Sequence, residues 1–281
     1  MAAFLSKNKQ NMKSRTPLLL LCLMAYTLSV SHQPKQSKLL AQLSCIDCEY
    51  ITLDALGNLY TANAKGDLVK YNNAGTQTAT SNHKSLGPIR SIDATNPFEI
   101  YVFYKEQNKV LFFDNQLNDL GFADFEAAGF FMLSAAARSF DNKIWIFDLN
   151  DLRLKKVRKD LNPELMSGNV REFAGEKNFD PSYIGDINKK VFLFNAASGI
   201  YEFDIFGNYI RKITLTGSEQ LFAHNKDLFF LKENALFRLD PILMTEKQVV
   251  VQEAPKDIQQ FSISSNRLAL LSGNTVFLYA R

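Results

Sequence analysis

Three histidines, three cysteines and one tryptophan in 281 residues leave little material for several common kinds of site. His32, His83 and His224 stand far apart in the chain, so no histidine cluster offers itself as a zinc centre. Cys22 falls inside an apolar run, which leaves Cys45 and Cys48 of SCIDCEY. That spacing suits a redox pair only at a helix N-terminus, and the EYITLDALGNLY that follows reads as strand, so a structural bridge or two free thiols remain open. Acid is missing from the first 31 residues, which carry Lys7, Lys9, Lys13 and Arg15. Without them Lys+Arg falls from 32 to 28 against 29 Asp+Glu, and the net charge moves from +3 to −1. A chain so balanced lacks the basic face that phosphate neutralisation needs, which excludes a general nucleic-acid binder. The longest apolar run, residues 18–26, is also too short to span a bilayer.

What is present near the N-terminus is MKSRTPLLLLCLMAYTLSVS, residues 12–31, with a basic start, an apolar middle and small residues at its end. These are the three parts of a secretory signal. The expected organisation is a signal over 1–31, with Met12 as an alternative start, a lead segment over 32–48 and a folded body over 49–281. No cysteine lies just beyond the apolar core, so the signal is not of the lipoprotein kind. The expectation is an exported protein, periplasmic or secreted, with no membrane span after cleavage.

The body repeats. Apolar runs start at residues 58, 98, 143, 190, 227 and 267, spaced by 40, 45, 47, 37 and 40 residues, and each is followed after a short polar or Gly-containing turn by a second run. A further segment precedes each pair and a fourth often follows, as in NYIRKITL (208–215). Runs such as 98–104 and 191–194 are apolar on both faces, which a strand covered from two sides requires. Four strands at this period predict an all-β, six-bladed β-propeller. Its sixth unit reaches Arg281 after its third strand, and SKLLAQL, residues 37–43, is expected to supply the fourth and close the ring. Residues 123–138 compete as helix by composition, and only their place in the period argues for strand.

At LDALGNLYTANAKGDLVKYNNAG and again at YEFDIFGNYIRKI the chain resembles six-bladed propellers of the NHL kind, whose units carry a D-x-x-G-N-L-Y turn and strand. It has neither a Trp-Asp pair nor a Gly-Gly motif of other propeller repeats. The resemblance implies a binding platform more often than an enzyme, and fold alone does not decide function.

Candidate sites follow from position in the unit. Asp54, Asp93, Asp141, Asp186 and Asp227 recur near one turn, where Asp is expected to bond its own backbone. Glu49, Glu219 and Asp257 fall where the innermost strands of units one, five and six begin, the candidate oxygen ligands for a divalent cation in a lactonase-like hydrolase. Loops on that rim hold Tyr104, Lys105, Asp148, Asn150, Asn195 and Asn234 as candidate binding residues. RLKKVRK, residues 153–159, crowds Arg153, Lys155, Lys156, Arg158 and Lys159 onto one strand. A solvated outer face accounts for it, or else Arg153, Lys156 and Arg158 form a dock for an anionic surface or glycan. The preferred reading is a non-catalytic binding or scaffold module of the cell envelope, with a protein partner and no cofactor. Alternatives are the metal-dependent hydrolase and a glycan-binding module.

N-terminal sequencing of exported material is expected to find the mature chain beginning between Val30 and Pro34. Met1 or Met12 at the start of exported protein would contradict the signal.

Overall fold

The computed structural model describes residues 37–175 and 179–281, so the expected signal lies outside the described residues. Six four-stranded antiparallel sheets form the blades of a β-propeller. Numbered along the chain, β2 (Cys48–Leu53), β3 (Leu59–Asn63), β4 (Asp67–Tyr71) and β5 (Gln77–Asn82) make blade one, ordered from inside to outside. The same meander recurs as β6–β9 over residues 91–124, β10–β13 over 133–166, β14–β17 over 183–213 and β18–β21 over 221–248. The innermost strands are β2, β6 (Ser91–Asp93), β10 (Leu133–Arg138), β14 (Tyr183–Ile187), β18 (Leu221–His224) and β22 (Gln260–Ile263). Each touches the next, and β22 returns to β2, so they enclose a channel.

Blade six is built from both ends of the chain. β22, β23 (Arg267–Ser272) and β24 (Thr275–Ala280) are completed by β1 (Lys38–Ser44), which runs antiparallel to β24 from Lys38 opposite Ala280 to Ser44 opposite Thr275. A disulfide between Cys45 and Cys48 then ties the end of this closing strand to the start of β2. The expected closure is therefore the observed one, and no edge of β24 is left to template association.

The apolar pattern explains the stacking. β7 (Ile100–Tyr104) and β11 (Ile144–Asp148) are buried at every position, as strands packed on both faces must be. Outer strands reach solvent, and β21 (Thr245–Gln248) is exposed throughout. The core is correspondingly divided into six clusters, one at each blade interface. Leu68 of blade one packs with Val102 of blade two, and Leu278 of blade six packs with Ile51 of blade one. Each such fully buried side chain contributes roughly 1.5–3 kcal/mol. Residues 123–138, helix-like in composition, turn at Phe125–Phe130 and then form β10. Among the described residues, helix amounts to the single turn Arg171–Ala174 and two 3-10 turns.

The D-x-x-G-N motif is one hydrogen-bonded device used repeatedly. Asp54 Oδ1 accepts the backbone N–H of Leu56 at 2.9 Å and of Asn58 at 2.8 Å, while its Oδ2 accepts the Asn58 amide at 2.7 Å. Asp114 with Asn118 and Asp204 with Asn208 repeat these bonds. The fourth residue of the turn takes positive φ, 84° at Gly57 and Gly207, which is why glycine is favoured there. Leu117 occupies that place in blade two at φ 59° and is buried, so packing offsets its backbone cost.

Deleting residues 38–44 is expected to leave β24 as an open edge and to strip blade six of its outer strand, giving aggregation instead of a mild stability loss. Unchanged melting and an unchanged monomer peak in size-exclusion chromatography would show that the ring closes otherwise.

Candidate functional site

In each blade the inner strand ends at the same rim, where the turn to the second strand lies. The hairpin between the second and third strands lies at the opposite rim. A cavity of about 440 Å³ occupies the channel, lined by inner strands of blades one to five and by the turns that leave β6 and β10. Blade six is absent from this lining, and glutamine side chains stitch it to its neighbours. Gln220 bonds both the N–H and the C=O of Phe261, at 2.8 and 3.0 Å, and Gln260 bonds the N–H of Ile51 at 3.2 Å and the carbonyl of Glu49. Ser262 Oγ accepts the Leu53 N–H at 2.8 Å. These side chains stand in for ladder bonds that inner strands of separate sheets cannot make to one another.

On the other side of the channel two carboxylates hold blade three between its neighbours. Asp93 of blade two accepts the Arg138 N–H at 2.8 Å through Oδ2, and the Thr95 N–H and hydroxyl through Oδ1. Asp186 of blade four accepts at Oδ2 from the Phe140 N–H at 3.1 Å and from Trp145 Nε1 at 2.9 Å, and at 3.1 Å it shares the single Ser139 hydroxyl proton with Asp141, which lies closer at 2.7 Å. Asp186 Oδ1 is buried without a partner. The expected bonding of each Asp to its own backbone thus holds for Asp54 and in part for Asp93, whereas Asp186 acts across a blade interface. Arg138, which also lines the cavity, is paired with Glu99 at 3.2 Å and lies over the Tyr101 ring. Burial, and after it the Asp93 charge, push the Tyr50 phenol in the channel up to about 12, and burial also raises Tyr183, whose oxygen accepts the Ala223 N–H. Both stay protonated at neutral pH. Phe98 and Phe140 flank the mouth with 66% and 62% of their surfaces exposed, far above the core rings.

The candidate residues read from the sequence fall mainly on the opposite rim and divide into two groups. Lys105, Asn150 and Asn234 sit on exposed or partly exposed hairpins, with Lys105 3.2 Å from Asp180. Tyr104, Asp148 and Asn195 are the buried last residues of their strands, not loop residues free to meet a partner. Asn195 bonds the Ser198 hydroxyl at 2.9 Å. Glu49, Glu219 and Asp257 are exposed, and among the described residues no three His, Cys, Asp or Glu side chains stand together as a metal-holding group. His224 ends β18, where burial and then Arg281 lower its pKa, and His83 lies edge-on to Phe113.

The basic run requires a correction. Its first five residues form β12 (Arg153–Val157), the third strand of the blade, packed between neighbouring blades, and Arg158 and Lys159 lie exposed beyond it. Lys155 is buried beside Asp148 and Asp151, at 2.8 and 2.7 Å. Lys156 is buried against Phe140 and Trp145, with its ammonium 3.2 Å from Asp141. Arg153 donates to the Ser167 carbonyl, Lys159 pairs with Glu99 and the exposed Arg158 pairs with Asp160. The run is neither a solvated face nor a convergent patch, because alternation along the strand sends its members to different partners.

No family model matches the sequence. Among solved structures the chain is similar to virginiamycin B lyase from Staphylococcus aureus. The selenomethionine form superposes with TM-score 0.56 at 12% identity over 88% of this chain and 89% of that one. A catalytically inactive variant with quinupristin gives 0.57 at 15% identity over 88% and 100%. A chain in the mitotic checkpoint complex gives 0.54 at 10% identity over 83% and 76%. The likeness is one of fold. At these identities it carries propeller architecture and leaves the site to be argued from its own residues.

The sequence carries a signal for the cavity. Units two and three each place a phenylalanine just after the inner strand, in NPF (96–98) and SF (139–140). The apolar run that starts at Phe98 becomes strand only from Ile100, where β7 begins, and this leaves Phe98 in the turn.

Burial alone would raise the Asp141 carboxyl, but hydrogen bonds from Ser139, Lys143 and Lys156 outweigh it and hold the group at about 2, below its ordinary 3.8. A depressed folded-state value means the stabilisation is present above the unfolded value and is lost as pH falls through the folded one. Asp141→Asn is expected to lower stability by about 1 kcal/mol at pH 7, solvent screening the exposed part of the pair. Denaturant titrations of both proteins should show this difference shrinking between pH 4 and about 2. A difference constant across that window would remove Asp141 from the account.

Proposed function

We propose that this protein is an exported, non-catalytic binding module that takes a protein partner on the rim where its inner strands end. The observation that carries the reading is the cavity at that rim, open between two exposed phenylalanines on a frame whose polar groups are spent on holding blades together. Wall carboxylates committed to backbone and indole donors serve as rigid supports. Exposed aromatic rings beside a concavity supply the apolar anchor contacts that protein partners use. The same rim presents Leu56 and Phe206 and, at the tip of blade five, Ile242 and Leu243, all exposed. Exposed apolar side chains beside a concavity are the mark of an interaction face.

Export is supported by the three-part segment at 12–31 and by the Cys45–Cys48 disulfide, a bond that persists in oxidising compartments. That chemistry supports a place in the cell envelope or outside the cell.

Affinity capture with purified protein against envelope extract tests the reading. Phe98→Ser with Phe140→Ser is expected to lower partner retention about tenfold or more, the loss of two anchors worth upwards of 1 kcal/mol each. Asn150→Ala with Asn234→Ala on the opposite rim should leave retention unchanged. Equal retention by all three proteins would overturn the assignment. So would a chelator-sensitive hydrolytic activity lost on neutralising Glu49, Glu219 and Asp257.

A further inference from the structure

The charge of the cavity wall is not balanced. Arg138 is paired at 3.2 Å with Glu99, a carboxylate it shares with Lys159, and against this one lining cation stand two lining carboxylates, Asp93 and Asp186. Every donor that Asp93 and Asp186 receive is neutral: backbone N–H groups, hydroxyls and an indole. Two carboxylates therefore line a partly apolar concavity, and among the described residues neither forms an ion pair. Walls of low polarisability focus the field of fixed charges into such a space, and a positively charged guest is favoured there over a neutral one of equal shape. A bare metal ion is the weaker fit, since Asp93 spends both oxygens and Asp186 its Oδ2 on wall donors, leaving Asp186 Oδ1 alone, and no metal-holding cluster occurs among the described residues. The rings point instead to an organic cation. The Lys156 ammonium lies 4.9 Å from the centre of the Phe140 ring, so the protein already places an ammonium against this aromatic from within.

We propose that the channel mouth recognises a basic side chain, lysine or arginine, carried by the protein partner, with its apolar stem against Phe98 and Phe140 and its charge drawn to Asp93 and Asp186. This rests on the binding-face reading above and adds the chemistry of the guest. Long basic side chains combine an apolar stem with a charged head, the two features the wall presents.

The protein carries its own reporter. Trp145 is the sole tryptophan of the chain, and its indole N–H donates to Asp186 at 2.9 Å, so a guest drawn to that carboxylate should alter tryptophan emission. The test titrates the mature protein with acetylated, amidated Gly-Xaa-Gly peptides in which Xaa is lysine, arginine, norleucine or glutamate, with n-hexylamine as a free amine. Lysine and arginine peptides are expected to bind about tenfold tighter than norleucine, with glutamate weakest and the advantage falling as salt rises. Asp93→Asn should reduce the lysine advantage severalfold and leave norleucine unchanged. Asp186→Asn is a second variant, to be read only where near-ultraviolet dichroism shows Trp145 in its native setting. Norleucine binding as tightly as lysine overturns the charge inference alone and leaves the binding face standing. Affinity for n-hexylamine equal to that for the lysine peptide overturns the assignment to a protein side chain. No saturable response from any peptide at millimolar concentration overturns both the inference and the reading on which it rests.

Discussion

Strands apolar on both faces can be covered only by something on each side, and this constraint governs the whole molecule. A lone blade would leave β7 or β11, buried at every position, half exposed to water. Stacking blades face to face satisfies all of them only when the stack returns on itself. The pairing of β1 with β24 makes that return covalently continuous, since the strand that finishes blade six leads directly into blade one. The Cys45–Cys48 bridge sits at that junction and limits how far the two can part.

Once closed, the ring fixes its inner strands at separations too large for a regular ladder, and side chains make the joints. Gln220, Gln260 and Ser262 join blades five, six and one closely, while Asp93 and Asp186 hold blade three from either side. The channel is consequently lopsided: closed by stitching on one side and hollow on the other. The carboxylates that set the electrostatics of the cavity are the same groups that hold its wall. Their geometry is fixed before any guest arrives, which reduces the ordering cost of binding.

The lysines of β12 show how a tertiary setting changes the meaning of a charge run. An ammonium buried alone would cost several kcal/mol. Lys155 is offset by two aspartates and Lys156 by Asp141 together with two aromatic rings. What reads as a surface patch acts as connection between the strand and the turns at both rims of its own blade.

The period, the strand count per blade, the doubly apolar strands and the segment that closes the ring are all legible in one dimension, because these are local patterns or depend only on chain order. The sequence also marked the D-x-x-G-N turns, whose bonds run between residues two and four apart. It did not determine which rim carries the cavity or which polar residues are buried. Tyr104, Asp148 and Asn195 look like loop residues in one dimension and end buried strands in three. Asp186 looks like a turn residue and instead accepts donors from blade three, more than 40 positions away. Neighbouring blades supply half of every residue's surroundings in a propeller, and the distance along the chain between those partners, one whole repeat, is invisible to any local pattern.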